Sequence, residues 1–132
     1  MNKHTPTEIK LHQKSRQMEI SFADGKRVEL SYEFLRVYSP SAEVRGHGPG
    51  QEVLQVGKKN VEITAIEPVG SYAVQPRFSD GHDSGLYSWD YLYELGTNRD
   101  PLWQQYLQRM QAAGASRESG ASPAAAIKSG CH

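Results

Sequence analysis

Hydrophobic and polar residues alternate along the first third of the chain. Ile9 and Leu11 form one run, and Met18, Ile20 and Phe22 form the next. A period of two is the signature of a half-buried strand. Lys14-Ser15-Arg16 reads as a polar turn between the runs. Ala23-Asp24-Gly25-Lys26 reads as a hairpin, with Asp-Gly suited to a type I′ turn. Val28 and Leu30 extend the alternation to a third strand, so the pattern predicts an antiparallel meander. Ser31 is then placed to cap a short helix from Tyr32 to Val37, which Pro40 ends because the residue before proline avoids helical dihedrals. The glycines and prolines of 39–51 predict a loop. Val53–Val56 reads as a short strand. Val61, Ile63 and Ala65 share one face of another, followed by a turn at Glu67-Pro68-Val69-Gly70-Ser71. Tyr72, Val74, Pro76 and Phe78 share a face of the last strand, which Pro76 marks as an edge or a bulge.

The chain is organised around Phe78–Gly96. Asp80-Gly81 is a turn dipeptide. Ser88 has the chemistry of an N-cap, with Tyr87 and Leu92 at the positions of a hydrophobic staple. Asp90 complements the helix dipole and Gly96 is the expected left-handed stop. His82 thereby falls on a loop between two rigid elements, where functional side chains often sit. A second helix follows, with Asp100 as N-cap, Pro101 as first helical residue, an apolar stripe of Leu102, Trp103, Tyr106, Leu107 and Met110, and a stop at Gly114. The resulting class is α+β: small antiparallel sheets of meander and hairpin type, a short early helix and two C-terminal helices. Residues 1–7 read as a flexible N-terminus, 8–113 as a single domain, and 114–132 as a disordered tail of Ala, Ser and Gly with nothing to bury.

Composition narrows the function. Fifteen basic residues balance fifteen acidic ones among 132. This is not the basic excess of a nucleic-acid or anionic-membrane binder. The single cysteine, Cys131, allows no intramolecular disulfide, which fits a reducing compartment. No apolar run reads as a signal peptide or a membrane span. The expectation is a cytoplasmic protein that binds neither nucleic acid nor membrane.

Covalent catalysis is not indicated. Cys131 lies in the tail, and no serine motif is present. Arg45-Gly46-His47-Gly48-Pro49-Gly50 lacks phosphate-loop spacing, and Pro49 removes an amide that such a cradle needs. Arg45 and His47 retain a local capacity for an anion or a partner carboxylate. Metal binding is the live chemistry. His82, with Asp80 and Asp83 beside it, offers imidazole and carboxylate donors suited to zinc or iron. The competing reading has Asp80 accepting a turn amide and His82 bonding a backbone carbonyl. His4, His12 and His132 fall in no pattern. The aromatics Tyr87, Trp89, Tyr91 and Tyr93 suit either a stacking platform or, more simply, a helix face packed on the sheet.

Two motifs, Leu35-Arg36-Val37-Tyr38-Ser39-Pro40-Ser41 and Asp80-Gly81-His82 followed by Tyr87-Ser88-Trp89 and Tyr91-Leu92, carry a resemblance. With the Asp-Gly hairpin leading into a short helix, they resemble the gamma-butyrobetaine hydroxylase-like N-terminal domain over Thr7 to Gly96. The resemblance implies a small α+β module that, in carnitine-pathway dioxygenases, precedes the catalytic barrel. There it holds zinc through three cysteines and one histidine. His82 matches the histidine, and the cysteine positions fall on Ser39, Ser41 and Val44. Thiolates supply most of the affinity of such a site, so a structural zinc of that kind is not expected. The resemblance also implies that the 39–50 loop and the Asp80–Tyr87 turn lie side by side. Its occurrence beside iron–sulfur ATPases implies an iron-handling context.

Three functions follow as expectations. The first is a non-catalytic accessory module docking on a protein partner through Arg36, Tyr38, Arg45, His47, Asp80, His82, Asp83, Tyr87 and Trp89, with iron or zinc linked to His82, His47 or Asp80. The second is an iron-dependent enzyme using His82, His47 and a carboxylate. The third is an interaction domain with no ligand.

Overall fold

The structure, a computed structural model, describes residues 5–41, 44 and 53–117. Strands β1 (Pro6–His12), β2 (Gln17–Phe22) and β3 (Arg27–Ser31) form an antiparallel meander in the order β1-β2-β3. Met18, Ile20, Phe22, Val28 and Leu30 point inward and are buried. Their outward neighbours include Lys10, Glu19 and Glu29, which face one another across the register.

Helix α1 (Tyr32–Val37) begins where the sequence predicts, with the Ser31 hydroxyl accepting from the Phe34 amide at 3.0 Å. Strands β4 (Ile63–Val69), β5 (Ala73–Phe78) and the two-residue β6 (Tyr87–Ser88) form a second antiparallel sheet, in the order β4-β5-β6. Pro76 pairs with Ile66 of β4, while β6 reaches only Ala73 and Val74. Beside Pro76 the sheet has therefore already ended on one flank, and its missing amide breaks no ladder. Helices α2 (Trp89–Thr97) and α3 (Arg99–Ala113) close the fold. Residues of both sheets, α1 and α2 share one core, with Tyr32, Leu35, Tyr87 and Leu92 fully buried in it. A smaller cluster of Val37, Tyr106 and Met110 lies under α3. Among the described residues no helix is long and apolar enough to cross a membrane.

Several local expectations are corrected. Val53–Val56 is not a strand: Leu54 and Val56 pack against the α3 cluster instead of pairing. β4 runs through Glu67-Pro68, and the turn lies later, at 70–72. A register shift between Ile63 and Ala65 turns the inward face from Ile63 to Ile66 and leaves Ala65 exposed. An extra residue in one strand reverses the alternation beyond it. Tyr72 stands outside β5, with 54% of its surface exposed.

The hairpin at Asp24-Gly25 is not type I′, which requires positive φ at both central residues. Only Gly25 is positive, at 91°. Gly25 N–H donates to Phe22 at 3.0 Å, and Phe22 N–H donates to Lys26 at 2.8 Å. This is the three-residue loop with a glycine bulge. Asp24 Oδ1 also accepts from the Lys26 amide at 2.9 Å.

Gly96 does not stop α2. The helix continues to Thr97, and Asn98 caps both α2 and the start of α3, displacing Asp100 from that role. The absent side chain of Gly96 matters for packing. A Cβ there would stand 2.5 Å from Val28 Cγ1. Gly114, by contrast, ends α3 in the left-handed conformation, at φ 63°. Residues 115–117, expected to belong to the disordered tail, are tied down. Ser116 and Arg117 carbonyls accept from the Gly57 and Lys59 amides at 2.9 and 2.8 Å. The rest of the predicted tail, 118–132, lies outside the described residues, as do 1–4 of the N-terminus.

Candidate functional site

The site forms where the end of α1 meets the loop between β5 and β6. The sequence Phe78-Ser79-Asp80-Gly81-His82 builds the loop's first turn by the same bonds as Phe22–Lys26. Gly81 N–H donates to Phe78 at 3.0 Å, Phe78 N–H donates to His82 at 2.9 Å, and His82 N–H donates to Asp80 Oδ1 at 3.2 Å. Gly81 has φ 90°. The turn directs His82 inward, where it is 6% exposed and tilted against the Phe78 ring. His82 lies on a loop, as the sequence predicts, but its ring is not open to solvent: Phe78 and the segment after α1 cover it.

His82 meets Ser39 there. The Ser39 hydroxyl and His82 Nε2 are hydrogen-bonded at 2.9 Å, and the Ser41 amide donates to Ser39 Oγ at 3.3 Å. The Ser41 and Ser84 hydroxyls are bonded at 2.7 Å. Ser39 and Ser41 are both buried. Gly85 makes this approach possible, because a Cβ on it would lie 2.4 Å from Ser39 Oγ. Tyr87 anchors the far end of the loop by donating to the Leu35 carbonyl. Burial pushes its phenol far above the usual range, more than the Ser39 hydrogen bond lowers it.

Asp80 belongs to an ion-pair cluster at the mouth of the turn. Arg36 Nε and Lys58 Nζ approach its Oδ2 at 2.9 and 2.5 Å. Burial raises the carboxyl's pKa, but the Lys58 hydrogen bond, the Arg36 charge and the His82 amide together outweigh it and hold the carboxyl down at about 2. Arg36 is itself buried, and its Nη1 has no hydrogen-bond acceptor among the described residues. Asp80 is therefore an anion held by two cations and an amide, not a carboxylate turned toward His82's ring.

Of the residues expected on a docking surface, Arg36, His82, Tyr87 and Trp89 are buried. Their buried side chains are not available to a partner in this structure. Trp89 donates to the Ser71 carbonyl at 2.7 Å, and half-buried Tyr38 donates to the Leu102 carbonyl at 2.6 Å. Asp83 is exposed, and its carbonyl accepts from the Gln75 side chain. Arg45 and His47 lie outside the described residues. Lys58, Ser84 and Gly85 are parts of the site that sequence reasoning missed. Gly85 carried a usable signal, as a second glycine four residues after Gly81 in a short loop. A serine or lysine in a loop carries none.

The geometry gives an α+β module in which a buried histidine is held by serines between α1 and the β5–β6 loop. The profile described as gamma-butyrobetaine hydroxylase-like, N-terminal, matches residues 9–93, and the chain belongs to that family. No curated protein matches it. Two NMR solution structures resemble it. One is 59% identical, with a TM-score of 0.76, covering 87% of this chain and 86% of that one. The other is 48% identical, with a TM-score of 0.78, covering 92% and 95%. A crystal structure of a DUF971-family protein of unknown function from Acidithiobacillus ferrooxidans is 39% identical, with a TM-score of 0.60, covering 71% and 94%.

The zinc that the resemblance implies does not fit these residues. Ser39 and Ser41 present neutral hydroxyls already bonded to His82 and Ser84, and buried Val44 offers no donor. Structural zinc sites are closed by four thiolate or imidazole ligands. Here a hydrogen-bonded knot occupies the corresponding positions.

Proposed function

We propose that this chain is a non-catalytic, cytoplasmic accessory module that docks on a protein partner beside the His82 knot. One observation carries the reading. Three large apolar side chains are strongly exposed among the described residues: Val53, Tyr72 and Leu86. Two of them border the knot. Leu86 follows Ser84-Gly85 directly. Val53 donates its amide to Val44 at 2.7 Å, and Val44 donates in turn to Ser41 at 3.0 Å. Exposed apolar residues tied to one hydrogen-bonded support supply apolar contacts of the kind a docking surface uses, whereas unconnected single ones are ordinary. The partner is a protein surface that offers an apolar side chain to Val53 and Leu86. His82, Ser39 and Gly85 hold the support in shape. The Arg36–Asp80–Lys58 cluster lends it a polar rim.

The test is site-specific photocrosslinking in cells, with a photoreactive residue at Val53, Leu86 or Tyr72 in turn. The expected result is one discrete adduct of the same mass from positions 53 and 86 and none from 72. Leu86→Asp should remove the adduct from position 53 while the purified variant keeps its circular dichroism spectrum. Equal labelling from all three positions, or none at 53 and 86, overturns the reading.

A further inference from the structure

The outward face of the meander brings together three metal-ligating groups that are far from one another in sequence. His12 ends β1, Glu19 sits in the middle of β2, and Glu29 lies in β3. One donor atom from each lies within 4.8 Å of the other two. His12 Nε2 and Glu19 Oε1 are already 3.0 Å apart. The donors of a tetrahedral zinc with bonds of 2.0–2.2 Å stand about 3.4 Å apart, so rotation of the exposed Glu29 side chain is the main adjustment needed.

A second observation points to a cation. Glu19 and Glu29 are direct register partners. Like charges directly opposite each other are destabilising in an antiparallel pair. Arg27 relieves Glu19 alone, at 3.4 Å, and Lys10 lies across the register from Glu19. The Glu29 carboxylate has no ion-pair partner among the described residues. Arg99 reaches only the Glu29 carbonyl and aligns its Nε with Asp100. A divalent ion at the centre would neutralise both carboxylates and take as a ligand the His12 nitrogen that now bonds Glu19.

We propose that His12, Glu19 and Glu29 form a binding site for a borderline divalent transition metal of the zinc class. The imidazole nitrogen selects against Mg²⁺ and Ca²⁺, which take oxygen ligands. Water would complete the open coordination positions. The site is separate from the His82 knot and does not depend on the docking role.

The experiment titrates Zn²⁺ into the full chain, labelled with nitrogen-15, and follows amide signals by NMR. Saturable shifts should appear first at residues in and beside positions 12, 19 and 29. His12→Ala and Glu29→Gln should each weaken the zinc affinity read there by about tenfold or more, since each removes one of three protein ligands. Mg²⁺ should give no matching shifts. Glu29→Gln keeps the size of a solvent-facing side chain, so its reading does not hinge on folding. Zinc shifts confined to other histidines or Cys131, or an affinity unchanged in both variants, overturn the proposal.

Discussion

At the scale of single residues, charge and hydrogen bonding decide what the site can do. Asp80 is the clearest case. Its folded pKa, about 2, lies below the ordinary value of 3.8. A carboxyl depressed on folding contributes stability that is fully present above its unfolded pKa and is lost as pH falls through the folded value. The Asp80 contribution should therefore be intact at pH 5 and fade between about 4 and about 2. Urea unfolding across that window tests this. Asp80→Asn should be less stable than the parent at pH 5, and the gap should narrow as acid removes the parent's charge. A gap independent of pH would mean that the Arg36 and Lys58 pairs add nothing. The sequence showed Asp80-Gly81-His82 as a turn carrying a histidine, and that much is right. It could not show that the histidine turns inward, because its cover comes from the Phe78 ring and from Ser39, for which Gly85 makes room, all outside those three residues.

At the scale of elements, the capped starts of α1 and α2 were legible because a capping serine acts on amides two or three residues away. Ser31 and Ser88 both do so. Features set by distant partners were not legible. The β4 bulge at 63–65 cannot be read from a strand of plausible alternation. Gly96 was misread for the same reason: its small size serves Val28 on β3, not the end of its own helix. Within a helix, Gly to Ala ordinarily stabilises by about 1 kcal/mol. Gly96→Ala should instead destabilise by roughly 1–3 kcal/mol, because overpacking forces the β3 contact apart. Chemical denaturation checks the sign. Adding Val28→Ala should recover part of the loss, and a purely additive double mutant would refute the contact as its cause.

At the scale of the whole molecule, three residues beyond α3 hold remote parts together. Arg117 forms a two-pronged bond with buried Glu33 of α1, at 2.8 Å for each prong, and lies 5.1 Å above the Trp103 ring. Its carbonyl and that of Ser116 also hold the Gly57–Lys59 loop. Arg117→Ala should lower stability by roughly 1.5–3 kcal/mol, the range for hydrogen bonds to charged groups. It should also speed hydrogen exchange at the Gly57 and Lys59 amides. Unchanged exchange there would show that the strap is not cooperative. Composition concealed this feature, because the strap opens a segment dominated by alanine, serine and glycine, and half of its hydrogen bonds to remote parts run through backbone carbonyls.

The turn at Phe22–Lys26 and the turn at Phe78–His82 share one sequence frame, one bond pattern and nearly the same glycine dihedral. One delivers a lysine toward solvent beside Tyr93, and the other delivers a histidine into a serine-lined knot. A single local device has thus been put to two uses within one small protein, and the shared Phe-x-Asp-Gly frame does not distinguish them. What makes the second turn special is its address in the molecule. A search for further members built on that frame alone would collect plain hairpins along with sites, and would need Ser39 and Gly85 beside it to tell them apart.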